Sequence, residues 1–159
     1  MTFSDYQQQV LRTAHVLPDN IHNSLHMVLG ITSEWLETIE VAMQSMIASS
    51  IDEQIQQTEL LKKEVGDILW YVAGLAHFNS LDFNRSADNA SYSIDKALEC
   101  LNSVFKAHWI YGRSMTDPDK TGIPPINQVQ TAIYSIIYWL EKGFPFKIED
   151  VMVLFLLTK

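Results

Sequence analysis

Glu34 and Glu37 stand three residues apart in GITSEWLETIE, Glu40 follows three further on, and Glu64 and Asp67 repeat the spacing in KKEVGDILWYVAGL. Three residues is nearly one turn of an α-helix, so each pair shares a face and its charges repel. The 26 residues between Glu37 and Glu64 are enough for the rest of one helix, a turn and an antiparallel return. A helical hairpin would therefore gather Glu34, Glu37, Glu64 and Asp67 into one patch, which in an apolar bundle is unfavourable unless cations neutralise it. Donor type decides the cation. Carboxylate oxygens without sulfur or imidazole suit Mg²⁺ or Mn²⁺, whereas di-iron bundles use Glu-x-x-His, a spacing this chain does not contain. Mg²⁺ keeps several waters and bridges protein carboxylates to phosphates, so the chemistry read from the residues is hydrolysis of a phosphate ester or anhydride. The competing reading is two solvated acidic faces of amphipathic helices, the usual meaning of a single Glu-x-x-Glu.

The elements that must hold these acids are helical. Asp5 to about Val16 reads as a first helix, ended by Pro18 and the turn residues Asp19 and Asn20. A long second helix starts near Asn23, with Leu25, Val28, Leu29, Ile39, Met43, Met46 and Ile47 at helical spacing, and Ser49, Ser50 and Asp52 break it. The third runs from about Glu53 to His77 on Leu61, Val65, Ile68, Leu69, Val72, Leu75 and Ala76. Gly66 and Gly74 lie eight apart on nearly one face of it, which points to close helix approach or ligand access. A fourth helix is expected from Asp88 to about Tyr111 on Leu98, Leu101, Val104 and Phe105. After the loop GRSMTDPDKTGIPP, a fifth spans Asn127 to about Lys142, and a short sixth begins near Ile148. No strand pattern emerges, so the fold class is all-α: a bundle of five to six helices with a four-helix core in a single domain, residues 1–159.

Composition narrows the partners. The net charge of −8 repels nucleic-acid backbones and anionic membranes and favours cations. Cys100 is the sole cysteine, so no internal disulfide forms, and a buried inert thiol is its expected state. The start MTFSDYQQQV has no basic segment followed by an apolar one, and cytoplasmic residence is the expectation. The longest apolar run, VMVLFLL at 151–157, is too short to span a bilayer and reads as core or subunit interface.

The two acidic segments together resemble a known family. Gly30-Ile31-Thr32-Ser33-Glu34-Trp35-Leu36-Glu37, followed by Glu64-Val65-Gly66-Asp67-Ile68-Leu69-Trp70-Tyr71, is similar to the paired signature of the MazG-like, all-α nucleoside triphosphate pyrophosphohydrolases, GL-x-x-E-x-x-E and E-L-G-D-x-L-W-Y. The likeness covers residues 22–85, the metal-binding half, and EVGDILWY is its most specific part. It implies cleavage of a nucleotide between the α and β phosphates, giving a monophosphate and pyrophosphate with Mg²⁺ or Mn²⁺. It maps the metal ligands and catalytic carboxylates onto Glu34, Glu37, Glu64 and Asp67, with one of these, or Glu40, orienting the water. It also implies a homodimer, because members commonly build the helical core from two subunits.

The chain departs from that pattern in two ways. SVFKAHWIYGRSMTD, 103–117, resembles a K-K-x-x-F-Y-G-R-x-L-D stretch that many members carry between their acidic motifs, but here it follows both. YSIIYWLEKGFPFKIED, 134–150, echoes GDILWYVAGLAHFNSLDF, with Tyr134 and Ser135 where Gly66 and Asp67 would stand. We read 88–159 as a degenerate second repeat that has lost its acids and supplies the other half of the bundle. The family's Asn-x-x-Lys tail has no counterpart after residue 83, so phosphate contacts are expected from Lys106 and Arg113, with Lys62, Lys63 and Lys120 as weaker candidates. Trp35, Trp70 and Tyr71 flank the acids as candidates for stacking on a base, and Trp35 and Tyr71 are counted as substrate-binding. His22 and His26 stand four apart but lack the Glu of a catalytic zinc motif, which leaves capping or surface roles. The missing tail motivates an alternative, a catalytically inactive helical protein of the same fold that binds a nucleotide or a partner.

Overall fold

The computed structural model describes residues 2–81, 94–107 and 126–158. Among them are six helices and no strand: α1 (Phe3–Val10), α2 (Asn20–Met46), α3 (Ile51–Phe78), α4 (Ile94–Lys106), α5 (Ile126–Gly143) and α6 (Ile148–Thr158). The all-α bundle with a four-helix core is as the sequence predicts. α2 and α3 form one long hairpin, α4 and α5 a second that packs on it, and α1 and α6 lie against α3. α3 is therefore the central helix, and Val65, Ile68, Leu69, Val72 and Leu75 along it are fully buried.

Caps set the helix ends. Thr2 Oγ1 accepts from the Asp5 amide at 3.1 Å while the Asp5 carboxylate accepts from the Thr2 amide at 3.1 Å, a reciprocal box that starts α1 two residues earlier than its polarity pattern indicates. α1 also stops at Val10 and not at Val16, because Thr13 Oγ1 donates to the Val10 carbonyl at 3.0 Å and closes a tight turn. The Asp19 side chain caps α2 through the Ile21 amide at 2.7 Å, and Ser50 caps α3 through the Glu53 amide at 3.1 Å. α3 ends in a Schellman-type turn, with the Ser80 amide on the His77 carbonyl and the Leu81 amide on the Ala76 carbonyl. Ser80 takes the positive φ of 55° that such an end requires. The expected start of α4 at Asp88 and its end at Tyr111 lie outside the described residues.

The second half is joined to the first through aromatic rings. Trp35 of α2 stacks on Trp139 of α5, with centroids 4.2 Å apart and planes 6° from parallel. Trp139 meets Phe144 edge-on, Phe144 stacks on Phe146, and the Lys62 ammonium lies over the Phe146 ring. Ser135, the residue standing in the place of Asp67 in the echo, is buried.

One apolar pattern divides in two. Leu25 and Val28 are buried, but Leu29, Ile39, Met43, Met46 and Ile47 are exposed, as is Leu98 of α4. Periodicity shows that a helix has an apolar face; it does not show how far along the helix the rest of the chain covers that face. The run at 151–157 is mixed: Val151, Met152 and Phe155 are core, and Val153, Leu154 and Leu157 are exposed. No described helix is long and apolar enough to cross a membrane.

Candidate functional site

The acids meet because of how closely α2 and α3 pack. A Cβ at Gly74 would collide with the Met27 thioether, and one at Gly30 with the Tyr71 ring, so a methyl at either position would force its neighbour to shift. These contacts fix the register of the hairpin. Continuing it a turn at a time sets Glu34 opposite Asp67 and Glu37 opposite Glu64. Gly66 serves α6 instead: its missing side chain leaves room for the Phe155 ring, which a Cβ would meet at 2.9 Å. Close approach, of the two readings for the α3 glycines, is the observed one.

Glu34, Glu37 and Glu64 each offer a carboxylate oxygen to one point, all within 4.8 Å of one another. Glu37 is exposed, Glu34 half-buried and Glu64 buried, so the group sits at the wall of the hairpin with one side open to water. Asp67 is beside it but turned to a cation. Its Oδ2 accepts from the Lys63 ammonium at 3.1 Å, and the same ammonium reaches Glu64 Oε1 at 3.5 Å. Glu64 Oε2 is buried with no hydrogen-bond partner. A buried carboxylate oxygen without a donor is unfavourable unless something absent from the chain itself satisfies it, and an all-oxygen donor set fits a hard divalent cation such as Mg²⁺ or Mn²⁺. Glu40 is exposed and is not one of the converging acids.

The crowding is visible in proton affinity. Burial, then the charges of Asp67, Glu37 and Glu64, push Glu34 up to about 7, with Lys63 opposing. Burial also raises Glu64, again against Lys63. The Lys63 ammonium is held above its ordinary range, first by its hydrogen bond to Asp67.

A pocket of about 330 Å³ opens beside the acids, lined by Thr13, Glu34, Asp67, Trp70, Tyr71 and Phe155. Its floor is cross-linked by polar and ring contacts. The Trp70 indole donates to Thr13 Oγ1 at 3.2 Å, Trp70 meets Tyr71 edge-on at 4.8 Å, and buried Tyr6 packs edge-on against Phe155. Burial and the Asp67 charge raise the Tyr6 hydroxyl.

Of the residues singled out in the sequence, the structure brings Glu34, Glu37 and Glu64 together, puts Asp67 at their edge, and places Tyr71 in the pocket wall. Trp35 is buried, and one face of its ring is taken by Trp139 of α5. The cation set against the acids is Lys63, while Lys106 is solvent-exposed at the end of α4 and Arg113 lies outside the described residues. His22 pairs with the capping Asp19 at 3.2 Å, and His26 is exposed with its ring edge toward Tyr71. Thr13, Phe155 and Tyr6 were not foreseen; they come from α6 and from in and beside α1, and nothing local in the sequence ties them to the acids. Lys63 was legible as a direct partner, since it precedes Asp67 by four residues on one helix.

Compared with protein-family models, curated proteins and solved structures, the chain matches none.

Proposed function

We propose that this protein hydrolyses a nucleoside triphosphate to the monophosphate and pyrophosphate, using Mg²⁺ or Mn²⁺ held by Glu34, Glu37 and Glu64. The observation that carries the reading is the convergence of three carboxylates, one of which, Glu64, also has a buried oxygen without a hydrogen-bond partner. The motif resemblance narrows the anion from any phosphate compound to a nucleoside triphosphate, and housekeeping of the nucleotide pool is the corresponding role.

Bound there, the cation supplies charge neutralisation of the phosphates and acidification of a water. The remaining work falls to the chain. Glu64, anchored in the central helix, fixes one ligand oxygen from the buried side, and Glu37 closes the group from the solvent side. Asp67 is one helical turn from Glu64 and adjoins both the acids and the pocket. With a cation bound, Asp67 would complete the ligand set in place of its bond to Lys63, whose ammonium would then be available to phosphate oxygens. Glu34 lines the pocket and belongs to the acid group, so it sits where a water attacking a phosphorus would lose its proton. Tyr71, Trp70 and Phe155 present apolar walls to the nucleoside, and the volume of about 330 Å³ is ample for a base with part of its sugar.

The test is incubation of the purified protein with a panel of ribo- and deoxyribonucleoside triphosphates and Mg²⁺, with pyrophosphate assayed. Release from at least one nucleotide is expected. Nucleotide binding without any release would favour the inactive nucleotide-binding alternative, and neither binding nor release would remove both hydrolysis and nucleotide binding, leaving the partner-binding alternative.

A further inference from the structure

Lys63 lies among the acids as a cation that the chain itself supplies. Its ammonium donates to Asp67 Oδ2 at 3.1 Å and to Glu64 Oε1 at 3.5 Å, joining two carboxylates that stand one turn apart on α3. The neighbouring lysine does not share this place: the Lys62 ammonium pairs with Glu59 at 3.1 Å and lies over the Phe146 ring. Lys63 is also the movable member of its group. Its side chain is 61% exposed, whereas those of Glu64 and Asp67 are 10% and 14% exposed, so packing holds the carboxylates while the ammonium is free to swing outward. Nor does it satisfy all that the acids present, since the second oxygen of Glu64 is buried without a hydrogen-bond partner.

We infer that Lys63 is the resident counter-ion of the acid site, and that the need to displace it makes the site select a divalent cation carrying a polyphosphate over the same cation alone. The inference rests on the cation reading of the acids given above. A bare cation that takes oxygens of Glu64 and Asp67 must expel an ammonium already hydrogen-bonded to both. The expelled group is left to water and stands close to a dication, where like charges repel. A cation that arrives with a polyphosphate brings new acceptors with it. The ammonium then exchanges carboxylate oxygens for phosphate oxygens and neutralises part of their charge. The distance it must cover is short, because Asp67, which it already touches, also lines the pocket of about 330 Å³. Linkage makes the effect mutual: the polyphosphate raises the affinity for the cation by the same factor as the cation raises the affinity for the polyphosphate.

Lys63→Gln removes the ammonium and keeps an exposed, helix-favouring side chain, so circular dichroism should match that of the unaltered protein. In calorimetry, Mn²⁺ alone should bind Lys63→Gln at least about tenfold more tightly than the unaltered protein, whereas the preformed complex of Mn²⁺ with inorganic triphosphate should bind it at least about tenfold more weakly. The opposite signs are what identify the counter-ion, because structural damage would weaken both. Lys62→Gln removes the same charge one residue away, without contact with the acids, and should change neither affinity by more than about twofold. Equal affinities in Lys63→Gln and the unaltered protein would overturn the inference while leaving the cation site standing. Shifts of one sign for both ligands, or the same opposed shifts in Lys62→Gln, would overturn it as well. No Mn²⁺ binding by any of these proteins would overturn it together with the proposed hydrolysis.

Discussion

At the scale of single residues, the site is a balance between repelling carboxylates and one lysine. Removing a ligand charge should abolish catalysis without harming the fold. Glu37→Gln and Asp67→Asn are each expected to reduce pyrophosphate release at least a hundredfold, about 2.7 kcal/mol of transition-state stabilisation. The metal-free Glu37→Gln protein should melt at or above the unaltered temperature, because repulsion has been relieved, whereas Asp67→Asn also gives up the ion pair with Lys63. Unchanged turnover in both variants would remove these residues from the site. The raised proton affinity of Glu34 gives a second test, with its sign fixed by linkage. Between the ordinary 4.5 and about 7 the folded chain holds a proton that the unfolded chain releases, so this group's stabilising contribution is full below about 4.5 and is lost as pH rises through 7. Glu64, also raised, acts in the same direction. The metal-free protein should therefore melt lower near pH 7.5 than near pH 5.5, and Glu34→Gln should flatten the difference. A melting temperature that rises across this window in the same way for both proteins would contradict the electrostatics described above.

At the scale of elements, the hairpin positions the acids through its glycines. Gly30→Ala puts a methyl where the Tyr71 ring lies, and overpacking of this kind typically destabilises by about 1–3 kcal/mol. It should also displace Tyr71 from the pocket wall, so nucleotide affinity should fall along with denaturation midpoint; a loss of stability with nucleotide affinity intact would separate Tyr71 from the substrate. The same elements show what the sequence made legible. α2, α3 and α5 were readable to within a few residues because their apolar spacing is long and regular. The acidic cluster was readable because i, i+3 pairs on consecutive antiparallel helices have few ways to avoid meeting. α1 was not, because its ends are set by Thr2, Asp5 and Thr13 side chains and not by periodicity. Thr13, Phe155 and Tyr6 were hidden for a related reason: their proximity to the acids is a product of how α1 and α6 dock on α3, and docking leaves no local mark. Trp35 stands beside Glu34 in sequence, yet its ring stacks on Trp139, a contact that no local pattern marks.

At the scale of the whole molecule, two helical hairpins of one chain form the bundle. The acid-bearing pair α2–α3 is complemented by α4–α5, whose echo of the acidic segment carries Tyr134 and Ser135 in place of a glycine and an acid. The acids of the candidate site lie on α2 and α3, and α5 contributes buried apolar residues such as Val129, Ile133 and Ile136. A calorimetric titration with Mn²⁺ tests most directly that the acids are a cation site and not a solvated face. The unaltered protein should take up Mn²⁺ with measurable heat, and Mn²⁺ at about a hundred times its dissociation constant should stabilise the fold by about 2.7 kcal/mol, while Glu64→Gln shows neither effect. No heat and an unmoved melting curve in the unaltered protein, or identical binding by Glu64→Gln, would contradict it.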